Sequence, residues 1–289
     1  MGTCTDGGSA DVATGGIRPV LPTRAGRGQQ DWLVLPGWGQ TGAFWVPVAR
    51  WLGAAGVGLD CADLAALAEA CAAPPGTLAR TRELLDRLAE QARRRMPLVL
   101  LGHSAGAALA VLLAGHLPGV RALALVEPVP AHFGCVAETR PARPPVPSAQ
   151  RHSRAAAPPG GPDRIEQALR EIYPAAAATT LRTVASGLWA EAVPVRAAAV
   201  RAPGAGDPAR VAAVRAALAA AAVPILIVRG TASTFLSGPD AQRLAAAVVG
   251  RCHLAVIPRA GHSPHVDRPR DTAAVLSDLA RLVDDGALP

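Results

Sequence analysis

The fold class is decided by the stretch Pro97-Leu98-Val99-Leu100-Leu101-Gly102-His103-Ser104-Ala105-Gly106. Its first half is an apolar run of strand length, and its second half reads Gly-x-Ser-x-Gly. In that pattern a serine sits on a strand-to-helix turn so tight that glycines are needed beside it, and the turn holds the hydroxyl out towards a substrate carbonyl. Residues 107–114 are apolar helix formers, as expected of a buried helix. Ser104 is therefore a candidate nucleophile; the alternative is a glycine-rich helix start with an incidental serine.

Strand-like and helix-like segments alternate on both sides of this stretch. Those with strand character are residues 32–35, 57–59, 98–101, 122–126, 224–228 and 253–257. Those with helix character are residues 43–52, 78–94, 107–114, 240–249 and 269–283. Strands separated by helices predict an α/β fold with a mostly parallel sheet flanked by helices.

The 289-residue chain predicts one core domain with an insertion. Residues 1–30 are rich in Gly, Thr and Arg, which predicts a flexible N-terminal tail with a short edge strand near residues 17–21. The core is expected over residues 31–130 and 222–289. Between them, residues 131–221 lose the strand rhythm; Ile165, Leu169 and Ile172 follow helical spacing, so we interpret this range as a helical cap or lid.

Charge and cysteine usage exclude several classes of protein. The net charge is +7, but every basic residue is arginine, no basic stripe is interleaved with aromatics, and aromatics make up 3% of the chain, so no nucleic-acid partner is expected. Five scattered cysteines without a C-x-x-C pair indicate neither a disulfide framework nor a zinc site. No signal peptide or membrane span is recognisable, so we expect a cytoplasmic protein that does not bind membranes. The chemistry of a serine nucleophile implies no metal or organic cofactor.

A serine nucleophile needs a base, a group that orients the base and donors for the oxyanion. His262 follows the last predicted strand in Ala260-Gly261-His262, which places it at the C-terminal edge of the sheet, and His265 is the fallback base. The expected oxyanion donors are the backbone amides of Ala105 and Trp38. The alternative for Trp38 is that its loop is an ordinary glycine-rich strand exit.

Together these segments resemble the α/β-hydrolase superfamily, notably its small single-domain esterase, lactonase and thioesterase-like branch. The resemblance covers about residues 31–130 and 222–284, and it does not extend to the cap or the tail. It implies a Ser-His-acid triad and transfer of an acyl group from an ester or thioester to water, with a small-molecule or carrier-bound acyl substrate. The segments that carry it are Pro36-Gly37-Trp38-Gly39, Gly102 to Gly106, Pro224 to Gly230 and Ala260-Gly261-His262.

The acid of the triad departs from this resemblance. Relatives usually present Gly-x-x-Asp after the strand that ends at Val228, whereas this chain has Gly230-Thr231-Ala232-Ser233. Two carboxylates could replace the aspartate. We favour Glu127, which follows the strand over residues 122–126, as in some members of the superfamily; the alternative is Asp240, which a helix-capping pair with Ser237 also explains. A third possibility is a Ser–His pair oriented by Ser233 or water.

Three functional hypotheses follow from these residues. The leading one is a serine hydrolase that uses Ser104, His262 and Glu127. The second keeps the fold but changes the reaction to acyl transfer, a lyase step or cyclisation. The third is a non-catalytic member of the fold that binds a ligand, and the missing aspartate motivates it.

Overall fold

The computed structural model describes residues 16–21, 30–37, 39–69, 71, 78–135, 161–191 and 207–284. Its strands are β1 (Ile17–Pro19), β2 (Gln30–Leu35), β3 (Val57–Ala62), β4 (Leu98–His103), β5 (Val120–Val126), β6 (Ile225–Gly230) and β7 (Cys252–Ile257). Its α-helices are α1 (Val46–Ala54), α2 (Leu64–Glu69), α3 (Leu78–Ala92), α4 (Ala105–Ala114), α5 (Gly161–Ile172), α6 (Ala178–Ala190), α7 (Pro208–Ala219), α8 (Gly238–Ala246), α9 (Pro264–Asp267) and α10 (Pro269–Asp284). Short 3-10 helices cover Gly42–Trp45, Arg93–Arg95 and Pro130–Phe133.

The described strands form one seven-stranded sheet in the order β1-β3-β2-β4-β5-β6-β7. β1 pairs antiparallel with β3, and the other pairs are parallel. This confirms the predicted α/β fold with a mostly parallel sheet. The edge strand β1 lies where the sequence predicts a short edge strand near residues 17–21, within the predicted tail. Residues 1–15 and 22–29 of that range are outside the described residues.

The strands β4, β5 and β6 are buried on both faces of the sheet, and successive residues of each strand point to opposite faces. In β4, Leu98 and Leu100 belong to one apolar cluster, while Val99 and Leu101 belong to the other. Helices α3 and α4 contribute to the first cluster, and α1 and α10 contribute to the second. The apolar run over residues 97–101 therefore contributes a central strand of the sheet.

The range predicted as a cap contains three described helices. α5 and α6 pack against each other, and α6 also packs on the 3-10 helix over Gly42–Trp45. α7 packs on α4 instead, and its Val214 and Leu218 are buried in the same cluster as Leu98 and Leu100. Within residues 131–221, α7 thus belongs to the helical layer on the face of Leu98 and Leu100. The pair α5–α6 packs on α1, and its Leu169 and Leu181 are buried in the cluster of the opposite face. Residues 136–160 and 192–206 of this range lie outside the described residues.

In the part of the chain that the structure describes, no helix combines the length and the apolar character that a bilayer crossing requires. The same residues contain no group of three or more His, Cys, Asp or Glu side chains arranged to hold a metal ion.

The sheet order brings four strand ends to one edge. β4, β5, β6 and β7 are consecutive neighbours and parallel, so the residues that follow them emerge side by side. Backbone hydrogen bonds join these exits: the Ser104 amide donates to the Val126 carbonyl over 3.0 Å, and the Glu127 amide donates to the Val228 carbonyl over 2.8 Å. In open α/β sheets this C-terminal edge is where ligands bind.

Candidate active site

Ser104 lies on the turn between β4 and α4 in a strained backbone conformation. Its φ is 54°, in the left-handed region that non-glycine residues rarely adopt. The turn is tight because α4 approaches the strand ends closely: a Cβ on Gly102 would lie 2.5 Å from the Cα of Ala107, and a Cβ on Gly106 would overlap the carbonyl oxygen of Leu35. Both glycines are therefore required by the turn that presents the serine hydroxyl.

His262 stands next to this hydroxyl. The Ser104 Oγ lies 2.9 Å from the His262 Nε2. The histidine is held on two sides: the His103 Nε2 donates to the His262 carbonyl over 2.8 Å, and the ring of Phe235 stacks on the imidazole at a centroid distance of 4.0 Å. Two residues separated by 158 positions in the chain thus meet at the edge of the sheet, within hydrogen-bond distance.

Glu127 approaches the opposite nitrogen of the same imidazole. It follows β5 directly with a φ of 49°, and its side chain is fully buried. The Glu127 Oε2 lies 3.1 Å from the His262 Nδ1. The Ser233 hydroxyl donates to Oε2 over 2.5 Å, and the Gly230 amide donates to Oε1 over 2.7 Å. Both carboxylate oxygens therefore have partners in the protein.

Burial controls the protonation of Glu127. It raises the pKa of this carboxyl to about 7, while the hydrogen bonds from Ser233 and Gly230 and the positive charge of Arg229 act in the opposite direction. An ionised carboxylate beside Nδ1 favours the imidazole tautomer with its proton on Nδ1, and the Nε2 lone pair is then free to accept a proton from Ser104. This state is reached only as the pH rises through about 7.

Asp240, the alternative acid, is engaged elsewhere. Its amide donates to the Ser237 Oγ over 3.1 Å, and the Ser237 hydroxyl donates to its Oδ2 over 2.5 Å. Arg243 donates to its Oδ1 over 2.6 Å. This is a capping pair at the start of α8, and the structure places Glu127 rather than Asp240 at the Nδ1 of His262. Ser233, the orienting group in the third possibility, donates to Glu127.

Two further histidines lie behind the site, and burial keeps both of them neutral. It lowers the pKa of His103 to about 3 and the pKa of His265 well below its ordinary value. His265, the fallback base, places its Nε2 3.1 Å from the Gln40 Oε1 and stacks on Trp45 at 4.1 Å. Neutral rings here add no positive charge next to His262.

Of the two predicted oxyanion donors, Ala105 and Trp38, the structure describes Ala105. Ala105 is the first residue of α4, where backbone amides have no acceptor within the helix. Trp38 lies outside the described residues. Its neighbours form a turn in which the Gln40 amide donates to the Gly37 carbonyl over 3.1 Å. Gly37 packs so tightly on His103 that a Cβ there would overlap the imidazole Nδ1.

Sequence reasoning missed a polar junction around Gln40. The Gln40 Nε2 lies 3.4 Å from the Tyr173 hydroxyl, which follows α5, and 3.3 Å from the Ser263 Oγ, next to His262. The junction thus joins the end of α5 to the loops after β2 and β7. No local pattern signals these contacts, because the partners are 133 and 223 positions apart. Phe235 was missed for the same reason.

Two adjoining grooves lie along the seam between α1 and α6. Both are lined by Arg50, Thr179 and Thr183. Neither groove is lined by Ser104 or His262, so we do not assign the binding of a substrate's acyl group to these grooves.

Comparisons with known proteins agree with this architecture. The chain matches the model of the "Alpha/beta hydrolase family" over residues 32–275. Among solved structures it is similar to a thioesterase domain from the curacin biosynthetic pathway, with 20% identity, a TM-score of 0.62, and coverage of 86% of this chain and 91% of that one. An E-2-(acetamidomethylene)succinate hydrolase gives 18% identity, a TM-score of 0.61, and 92% and 94% coverage. The M. tuberculosis esterase Rv0045c gives 19% identity, a TM-score of 0.59, and 92% and 91% coverage.

At these identities the structural similarities establish the fold alone. A comparison with curated protein sequences gives no match.

Proposed function

Because the chain belongs to the α/β hydrolase family, we propose that it is a serine hydrolase that cleaves an ester or thioester through an acyl-enzyme. The observation that carries the proposal is the hydrogen-bonded chain from the Ser104 Oγ through His262 to Glu127, with distances of 2.9 and 3.1 Å. That order of nucleophile, base and acid is the one that activates a serine hydroxyl. The esterase and thioesterase among the structural neighbours support the choice of an acyl substrate.

In the acylation step, the Ser104 Oγ forms a bond to the acyl carbon while its proton passes to the His262 Nε2. The tetrahedral intermediate then collapses, the bond to the leaving alcohol or thiol breaks, and His262 gives its proton to that leaving group. Glu127 stabilises the imidazolium and keeps the ring oriented throughout. In the second half a water molecule repeats the sequence, and the Ser104 Oγ leaves with the proton that His262 took from the water.

The oxyanion of each tetrahedral intermediate needs donors on the far side of the acyl carbon. The amide of Ala105 is suited to this role because it lies at the N-terminus of α4, where the helix dipole favours negative charge. We propose the Trp38 amide as the second donor. Each such donor contributes about 3 kcal/mol of transition-state stabilisation.

The contact between Glu127 and His262 also bears on the ligand-binding hypothesis. That hypothesis was motivated by the missing aspartate after β6. The distance of 3.1 Å between the Glu127 Oε2 and the His262 Nδ1 supports Glu127 as the replacement acid, and it therefore supports catalysis over binding alone. Acyl transfer, a lyase step or cyclisation would use the same nucleophile with a different second step.

The proposal is tested by labelling the protein with a fluorophosphonate probe and by assaying p-nitrophenyl esters and acyl thioesters. We expect labelling at Ser104, and we expect Ser104→Ala to remove both labelling and hydrolysis. Folded native protein that neither labels nor hydrolyses would refute the proposal. Labelling without turnover of either substrate class would point to the transferase, lyase or cyclisation chemistry instead.

The same assay identifies the acid. Glu127→Gln should lower kcat by about four orders of magnitude, as expected when the group that orients the histidine is lost. The matched control is Asp240→Asn, which removes a carboxylate of the α8 cap and should leave kcat within a few-fold of the native value. A reversed pattern would assign the role to Asp240.

We also propose that the protein acts in the cytoplasm. The described cysteines Cys61, Cys71, Cys135 and Cys252 are free thiols, which suits a reducing compartment. Cell fractionation of the native host would test this location.

A further inference from the structure

Ser233 stands at the end of β6, where relatives usually carry the acid of the triad. In this chain the residue carries a hydroxyl in place of a carboxylate, and the hydroxyl contacts Glu127, which comes from the neighbouring strand β5. We propose that Ser233 is a positioning residue: it holds the Glu127 carboxylate ionised and aimed at His262 by donating its hydroxyl proton to Oε2. The catalytic meaning of this role rests on the proposed function, but the role itself can be measured without turnover.

The direction of the Ser233 hydrogen bond follows from counting donors and acceptors. A serine hydroxyl has one proton and two lone pairs. The amides of Phe235 and Leu236 both donate to the Ser233 Oγ over 3.2 Å, and they occupy the lone pairs. The proton is then directed to Glu127 Oε2, 2.5 Å away. A donor fixed in this way stabilises the ionised carboxylate and has no lone pair left to accept a proton from the neutral acid.

The groups around Glu127 explain why the Ser233 hydroxyl matters for the ionisation of this carboxyl. Burial favours the neutral form of Glu127, and the charge of Glu127 in turn helps to raise the pKa of Asp267 on α9. Arg229 on β6 and the Gly230 amide oppose the effect of burial on Glu127 together with Ser233, while His262 faces the carboxylate from the loop after β7. Ser233 is the side chain that donates to the same oxygen that faces His262, so its loss acts directly on the contact between Glu127 and His262.

The same hydroxyl also shapes the other side of the imidazole. By accepting the Phe235 and Leu236 amides, Ser233 closes the turn that places the Phe235 ring on His262, with a centroid distance of 4.0 Å. One residue therefore connects the carboxylate that orients the histidine with the aromatic ring that covers it.

The test is a titration of Glu127 by NMR in protein labelled with ¹³C at the glutamate carboxyl carbons. The Glu127 resonance is assigned as the one that disappears in Glu127→Gln. We expect its titration midpoint in the native protein near 7, and we expect Ser233→Ala to raise the midpoint by about one pH unit or more, because a hydrogen bond to a charged group is lost. Ser233→Thr retains a hydroxyl and should keep the native midpoint.

The matched control is Ser237→Ala. Ser237 also donates to a carboxylate over 2.5 Å, but that carboxylate belongs to Asp240, so the Glu127 midpoint should not move. If Ser233→Ala does not fold, Ser233→Cys provides the same test, since a thiol is a weak donor and should also raise the midpoint. An unchanged Glu127 midpoint in a folded Ala or Cys variant overturns the proposal.

The titration separates this proposal from the proposed function. If the protein hydrolyses acyl substrates, the acid limb of its kcat/KM profile should move upwards with the Glu127 midpoint in Ser233→Ala, whereas a purely structural loss would lower activity without moving the limb. If the protein labels no probe but the midpoint still moves, the positioning role stands and the hydrolase proposal fails.

Discussion

Glu127 places an ionisable group in a fully buried position, and the free energy of unfolding should depend on its protonation. Since the folded state raises the pKa of Glu127 from an ordinary value of 4.5 to about 7, folding favours the protonated form. The corresponding stabilisation is complete below the ordinary value and is lost as the pH rises through about 7. In its ionised form, Glu127 therefore destabilises the fold.

Glu127→Gln should remove this pH dependence. We expect the free energy of unfolding of the variant, relative to that of the native protein, to increase from pH 5 to pH 8 by roughly 3 kcal/mol. The reason is that the neutral amide has no charge to bury. Chemical denaturation at a series of pH values measures the difference. Ser104→Ala retains Glu127 and should follow the native trend, and a constant difference between Glu127→Gln and the native protein across this range would contradict the prediction.

At the scale of single elements, the position of α4 against the sheet depends on glycine. Gly106 lets the helix approach the end of β2, because a Cβ there would overlap the Leu35 carbonyl and lie 2.6 Å from that of Pro36. The atoms in the way are backbone, so they cannot rotate aside. This close approach brings the start of α4, with Ser104 and the Ala105 amide, next to the loop that follows β2.

Gly106→Ala should therefore destabilise the protein by about 3 kcal/mol, as expected when a packed backbone is forced apart. The matched control is Gly53→Ala in α1, where a Cβ meets nothing within 4 Å and the substitution should stabilise the helix by about 0.5 kcal/mol. Urea unfolding of the two variants measures both effects. Similar changes in the free energy of unfolding at the two positions would show that the close contacts of Gly106 do not cause the destabilisation.

At the scale of the whole molecule, Gln40 and Tyr173 connect the helix pair α5–α6 to the edge of the sheet that carries Ser104 and His262. The Tyr173 hydroxyl contacts the Gln40 amide group, while its ring packs edge-on against Phe44 at 6.2 Å. Tyr173 thus adds one polar and one apolar contact beside the loop that follows β2, in addition to the packing of α6 on α1 and on the 3-10 helix over Gly42–Trp45.

Tyr173→Phe keeps the ring contact and removes the hydroxyl. We expect the free energy of docking of α5–α6 to weaken by about 1 kcal/mol. Amide hydrogen exchange in α5 and α6, but not in α4, should then be faster than in the native protein. Ile172→Ala is the control, because Ile172 is 49% exposed and its loss should not change the exchange of α6. Equal exchange in native and Tyr173→Phe protein would show that the hydroxyl does not hold the pair.

The sequence by itself determined the α/β fold class, because buried strands and helices leave patterns in consecutive residues. β4 and α4 show this most clearly, since their apolar runs and the glycines beside Ser104 lie in one short stretch. His262 could be nominated in the same way, from its place just after a strand. The tertiary structure alone decided which carboxylate faces His262.

That choice depends on sheet order and not on chain order. β5 and β6 are neighbours, so the residues after both strands emerge beside His262, and either strand end could have supplied the acid. Asp240 is closer to His262 along the chain, yet its oxygens are engaged by Ser237 and Arg243. Ser233, Gln40 and Tyr173 likewise acquire their contacts only when distant segments pack together, and such contacts leave no periodic trace in a single sequence.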